Sequence, residues 1–225
     1  MIKIERKQTA KTQKAIASLQ QAKIKKRSYN TPEVNAALSE IFHGKCYICE
    51  SKGITSYQID HLIPHRGDEK LKYDWGNLFL ACAHCNNTKL DKYEPVIDCT
   101  KEDAEKKIAF RKKGYFGTDE QLLFECLDHD ETTVNTVRLL QEVYYGSTPQ
   151  KQMEARTIRR NLRKELSEFK NEVREYLEAE DGDKEDLEYE LKRQLRDASP
   201  YAAFKRWLIR DNQSAFPELL KYIKD

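Results

Sequence analysis

Two C-x-x-C pairs, Cys46-Tyr47-Ile48-Cys49 and Cys82-Ala83-His84-Cys85, stand 32 residues apart in a chain of 225. Each pair closes into a tight knuckle that aims two thiolates at one point, and Zn2+ takes four such ligands tetrahedrally. The spacing therefore predicts a structural four-cysteine zinc site, with no coordination position left open for chemistry. Gly44 before the first pair and Asn86-Asn87 after the second are suitable turn residues. Little apolar sequence lies between residues 45 and 99, so the metal is expected to supply much of the local folding energy. Zinc-finger peptides gain on the order of 10–16 kcal/mol this way. Cys99 and Cys126 have no such partners and read as small buried hydrophobes. Disulfides are not expected: the opening MIKIERKQTAKTQK lacks the apolar stretch of a secretory signal, and reducing compartments keep thiols free.

Composition narrows the class further. With 39% hydrophobic and 35% charged residues, the chain suits long solvated helices around a core better than a broad sheet. Its longest apolar run, Leu78 to Ala83, is far short of the ~18 residues a membrane span needs. A cytoplasmic protein without membrane contact is the expectation. The net charge of +2 conceals segregation. Residues 1–30 carry nine Lys/Arg against Glu5 alone, or +8, and residues 165–190 carry twelve Asp/Glu against three cations, or −9. A basic arm attracts phosphate backbones and an acidic block repels them, although either can simply be a solvated face.

Residues 10–28 read as a basic helix with Ile16, Leu19 and Ile24 as a thin apolar stripe. Thr31 and Pro32 suit the N-cap and first position of a second helix, which presents Val34, Leu38, Ile41 and Phe42 before Gly44 ends it. From about residue 100 the chain reads as helical. Ile158, Leu162, Leu166, Phe169, Val173, Tyr176 and Leu177 step by threes and fours through a helix of about thirty residues. Asp181-Gly182-Asp183 breaks it, and shorter helices follow through Leu187–Leu195, Phe204–Leu208 and Leu219–Ile223.

The chemistry lies between the knuckles. Tyr57-Gln58-Ile59-Asp60-His61-Leu62-Ile63-Pro64 sets an adjacent Asp and His in an apolar, strand-like run. Asn77-Leu78 follows, then the second knuckle and Cys85-Asn86-Asn87-Thr88-Lys89. This order, C-x-x-C, D-H-x-x-P, N-L, C-x-x-C-N-x-x-K, resembles the HNH endonuclease family in its variant with two zinc knuckles.

The resemblance implies a ββα-metal core and phosphodiester hydrolysis. His61 matches the general base, and Asp60 and Asn86 match the oxygen ligands of one catalytic Mg2+ or Mn2+. Asn77 matches the position that braces the histidine loop, while Lys89 and Arg66 match basic residues suited to phosphate. His65 and His84 fall outside the family's ligand positions and are expected at the surface or on the substrate side. The opening Met1–Arg6, Phe42–Cys46 and Tyr201–Trp207 resemble a bacterial subgroup of these nucleases, from Septu-type and retron-associated anti-phage systems. That subgroup implies an ATPase subunit as partner. Many of its members carry Glu before the histidine, where this chain has Asp60.

The resulting expectation is an α+β, mostly α-helical protein: a small HNH core with its zinc site, flanked by helices and followed by a C-terminal helical region. Its divisions are a basic N-terminal arm at 1–30, the nuclease domain at 31–99 and a helical partner-docking region at 100–225. The docking reading rests on the apolar face of the long helix, the acidic block and the large aromatics of Phe204–Trp207; a bundle that simply caps the nuclease is its rival. The expected partners are DNA or RNA and an ATPase subunit, with room for a homodimer within a larger assembly. The competing functions are a stand-alone restriction-type nuclease and a non-catalytic zinc module that binds nucleic acid.

Overall fold

The computed structural model describes residues 1–114, 119–180 and 182–223. Helix α1 (Ala10–Ile24) begins at Thr9, whose side chain accepts from the Thr12 N–H. It packs on α2 (Pro32–Ile41). Thr31 caps α2 by accepting from the Val34 N–H, with Pro32 in the first turn, and Val34, Leu38 and Ile41 are buried as expected. The stripe expected on α1 is displaced. Thr12, Ala15, Leu19 and Ala22 face inward, Ile16 is half-buried and Ile24 is 75% exposed. The 3-4-3 spacing of the buried set defines the true face, and its small alanines let the two helices approach. Nor does the start of the chain hang free: Met1, Ile2 and Ile4 lie in the main core, and the Ile4 N–H donates to the Cys99 carbonyl at 2.8 Å.

The central unit is compact. Strand β1 (Tyr57–His61) pairs antiparallel with β2 (Leu78–Cys82), in a register that sets Asp60 opposite Phe79 and His61 opposite Leu78. The connection holds α3 (Glu69–Lys72) and a 3-10 turn, Trp75–Asn77. Helix α4 (Ala83–Lys89) follows β2 directly and packs back on both strands.

The remainder departs from an all-helical reading. After α5 (Ala104–Lys107), strands β3 (Ile108–Lys113) and β4 (Gln121–Cys126) form a second antiparallel hairpin. Its signal was hidden because α9 covers β3 and α6 covers β4. Ile108, Ala109 and Phe110 are therefore buried consecutively, without the alternation that marks a half-exposed strand. Helices α6 (Glu131–Tyr145), α7 (Pro149–Glu178), α8 (Lys184–Gln194) and α9 (Ala202–Asp211) then lead to a final 3-10 turn, Pro217–Tyr222. Of the expected helix break, Asp181 lies outside the described residues.

These helices brace the knuckle domain. Phe110, Phe124, Tyr144 and Phe204 form one aromatic group with centroids 5.1–5.9 Å apart. The Tyr144 hydroxyl donates to the Cys49 carbonyl at 2.9 Å, and the Lys45 ammonium reaches the Ser199 carbonyl at 2.9 Å. Buried Glu50 accepts from the Ala203 N–H at 3.0 Å. Glu105, wholly buried, is paired with Arg206 at 2.6 Å and Arg210 at 3.2 Å. Two expectations change as a result. Phe204 and Trp207 are buried, so they are not exposed anchors for a partner. The apolar face of α7 from Ile158 to Val173 is covered from within the chain, and Leu177, counted in that stripe, is 47% exposed.

Candidate active site

The four knuckle sulfurs come together. Ligand atoms of Cys46, Cys49, Cys82 and Cys85 all lie within 4.8 Å of one another, in a buried cluster. The Cys49 and Cys82 sulfurs are 3.9 Å apart. Tetrahedral ligands at about 2.3 Å from zinc stand roughly 3.8 Å apart, so the residues fit the ion. Local structure explains the aim. The Cys46 N–H donates to the Ser51 carbonyl at 3.0 Å, folding the first pair back on itself. The second pair opens α4: Cys82 is its N-cap and accepts from the Cys85 N–H at 3.4 Å. A helix N-terminus favours negative sulfur. The Cys49 sulfur lies in hydrogen-bond contact with the Ser51 hydroxyl at 3.2 Å.

His61 ends β1 and is 8% exposed. Its Nε2 lies 3.1 Å from the Lys72 carbonyl. A carbonyl only accepts, so the neutral ring carries its proton on Nε2 and keeps the lone pair on Nδ1. Burial holds the imidazole below its ordinary pKa, opposed by the Lys72 carbonyl; neighbouring His65, Lys89 and Lys72 lower it further. The ring is thus kept in the form a base requires. Tyr29 sits edge-on at 4.6 Å and His65 at 4.8 Å.

Asn77 braces this arrangement. Its side-chain oxygen accepts from the Ile63 N–H at 2.8 Å, and its amide donates to the Ile63 carbonyl at 2.8 Å and the Leu71 carbonyl at 3.1 Å. One buried amide thereby ties the loop after His61 to the residue before Lys72, whose carbonyl orients the ring.

Adjacent residues within a strand point to opposite faces, so Asp60 and His61 can serve one substrate only because His61 ends β1, where the alternation need not continue. Asp60 shares its face with Gln58, toward α4. There the Asn86 amide donates to the Gln58 side-chain oxygen at 2.7 Å. Asp60 is 5% exposed; one oxygen accepts from the Tyr47 hydroxyl at 2.6 Å and the other lies 3.2 Å from the Lys89 ammonium. Burial pushes its carboxyl above the usual range, and Lys89 and Tyr47 pull it back.

Lys89 itself departs from expectation. It is 1% exposed, held by Asp60 and by the His61 carbonyl at 2.7 Å, and so does not face a phosphate. Its long apolar stem lets the ammonium reach inward from the last turn of α4. His84 also differs: rather than lying at the surface, it is buried between the Val143 carbonyl at 2.8 Å and Glu154 at 2.6 Å. Arg66 is exposed and paired with Glu94 at 2.6 Å. Sequence reasoning missed Tyr29, Tyr47 and Gln58. Only Gln58 carried a signal, two residues before Asp60 and so on the same strand face.

This pairing makes Asp60→Ala a structural change as well as a chemical one. Removing the carboxylate strands the Lys89 ammonium, and breaking a buried pair costs about 3–5 kcal/mol. Chemical denaturation should show that loss, and Asp60→Ala with Lys89→Met should recover most of it. A single variant as stable as the parent would show that the pair carries no such weight.

Residues 46–92 match the family described as HNH endonuclease. The chain is also similar to Septu protein PtuB of Bacillus mycoides (strain KBAB4), at 32% identity over 84 residues. That match covers 31% of this chain and spans only 28% of the relative. No solved structure matches. With two zinc-type knuckles framing an antiparallel hairpin and its helix, and an oriented histidine at the end of the first strand, residues 46–92 are an HNH endonuclease domain.

Proposed function

We propose that this chain is a metal-dependent endonuclease that hydrolyses phosphodiester bonds in nucleic acid, and that it serves as the effector of a bacterial anti-phage defence complex beside an ATPase subunit. The observation that carries the chemistry is His61: nearly buried, neutral, oriented through Nε2 by the Lys72 carbonyl, with Nδ1 left to take a proton. Deprotonation of a water by Nδ1 creates an imidazolium, whose Nε2–H then binds the Lys72 carbonyl more strongly. Asn77 is a positioning residue that keeps that carbonyl in place.

Asp60 and Asn86 would hold Mg2+ or Mn2+, which neutralises charge developing on the scissile phosphate when bound. Both donors are oxygens, as a hard cation requires, and the Asp60 oxygen lies 3.2 Å from the Lys89 ammonium. Zn2+ at the four cysteines is structural. A non-catalytic zinc module would have no use for a braced, neutral histidine.

The defence setting rests on the likeness to PtuB, and a cytoplasmic location goes with it. Among the described residues no helix is long and apolar enough to cross a membrane. We retain residues 31–99 as the nuclease domain and 100–225 as the docking region, now through the acidic block at 165–190 on the C-terminal half of α7 and on α8, because the aromatic segment and the apolar face are used internally. Incubating the purified chain with Mg2+ or Mn2+ and labelled DNA or RNA tests the activity. Cleavage that needs the dication and vanishes in His61→Ala is the expected result; an inert protein, with and without its co-purified ATPase, would overturn it.

A further inference from the structure

The cations that begin the chain are brought to His61 by the fold. Helix α1 ends at Ile24 and is capped by Lys25. Lys26 then turns left-handed at φ 49°, and the Arg27 N–H returns to the Ala22 carbonyl at 2.8 Å. This closing turn is one where glycine would be less strained, yet a lysine occupies it. The chain is thereby sent back toward the nuclease hairpin, where two tyrosines hold it. The Tyr73 hydroxyl donates to the Arg27 carbonyl at 2.6 Å, and the Tyr29 ring meets the His61 imidazole. Lys23, Lys25, Lys26 and Arg27 are all exposed. Earlier in the same segment Lys7 and Lys11 are matched by Glu5 and Glu40, whereas among the described residues these four have no carboxylate partner.

We propose that Lys23, Lys25, Lys26 and Arg27 form a track for the sugar–phosphate backbone of a nucleic acid, leading the strand to His61. Unmatched like charges repel one another, a cost that phosphates relieve on binding. Backbone contacts of this kind set position without reading sequence. Lys72 on α3, whose carbonyl orients the ring, adds a further positive charge beside the histidine. The inference deepens the nuclease reading and rests on it. A rival basic surface exists in Arg156, Arg160 and Lys164, exposed along α7.

Binding of the full-length chain to labelled DNA and RNA, followed by fluorescence anisotropy across a salt series, separates these surfaces. The measurement is made in a His61→Ala background so that cleavage does not intervene. Lys23→Gln/Lys25→Gln/Lys26→Gln/Arg27→Gln should weaken affinity about tenfold or more at low salt and flatten the log–log salt slope by about 3.6 for duplex DNA. Arg156→Gln/Arg160→Gln/Lys164→Gln should stay within about twofold of the parent. All seven side chains are exposed, so folding is preserved, and zinc content and circular dichroism verify it. Unchanged affinity and slope in the first variant, or the loss appearing in the second instead, overturns the track. A chain that cuts nothing yet shows the predicted binding losses supports the track while refuting the nuclease reading. A chain that cuts, with the first variant binding like its parent, refutes the track alone.

Discussion

Cys82→Ser is expected to abolish folding of the nuclease domain rather than merely weaken it. Four thiolates around one Zn2+ contribute on the order of 10–16 kcal/mol in small zinc modules, more than a whole domain's usual net stability of about 5–15 kcal/mol. Cys82 also caps α4, so the same change loosens the helix that carries Asn86 and Lys89. The effect should spread beyond residues 46–92. The first knuckle is tied to α6 through Tyr144 and, through Lys45 and Glu50, to the segment entering α9. Metal analysis should find about one zinc per parent chain and none in the variant. The variant's thermal transition should be lost or fall by tens of degrees. A soluble, cooperatively melting Cys82→Ser protein without metal would refute the structural role. The same coupling means that a fragment ending near residue 98 exposes core rather than isolating a nuclease, so it cannot serve as a clean test of docking.

His61→Ala is expected to keep zinc, helix content and nucleic-acid binding while losing cleavage by roughly 10²–10⁴-fold, the usual contribution of a positioned base. The pH dependence gives an independent check. A base works when deprotonated, and burial lowers the His61 pKa, so the rate should rise with pH through a limb below the ordinary imidazole value of about 6.5. Activity should therefore persist in mildly acidic buffer. Asn77→Ala acts through the loop: it removes the bonds to Ile63 and Leu71, and should lower kcat with little change in nucleic-acid affinity. Wild-type cleavage by purified His61→Ala protein, or an acid limb well above 6.5, would remove His61 as the base.

Much of the site was legible because its signals are local. A C-x-x-C knuckle, a Thr-Pro helix start, or Asp-His at a strand end needs only neighbouring residues. Thr31 and Pro32 start α2 where the pattern says, and the apolar steps from Ile158 to Val173 mark the buried face of a helix that runs Pro149–Glu178. The β3–β4 hairpin was illegible for a physical reason: β3 lies under α9 and opens with three consecutive buried residues, so the period of two disappears there. In α1 the alanines that face inward are too small to stand out against the larger but outward Ile24.

By itself, then, the sequence determined the four-cysteine cluster, the candidate base and the positions of the main helices, because each depends on spacing along the chain. Only the tertiary structure decided what the long-range groups do. Lys89 looks like a phosphate contact until the fold brings Asp60 within 3.2 Å of it. Phe204 and Trp207 look like interface anchors until the aromatic group and Glu105 enclose them. The basic start of the chain becomes part of the site only because Tyr29 and Tyr73 hold it there. A charge or an aromatic ring has no fixed role in one dimension; its partner, and whether water can reach it, is set by residues tens of positions away.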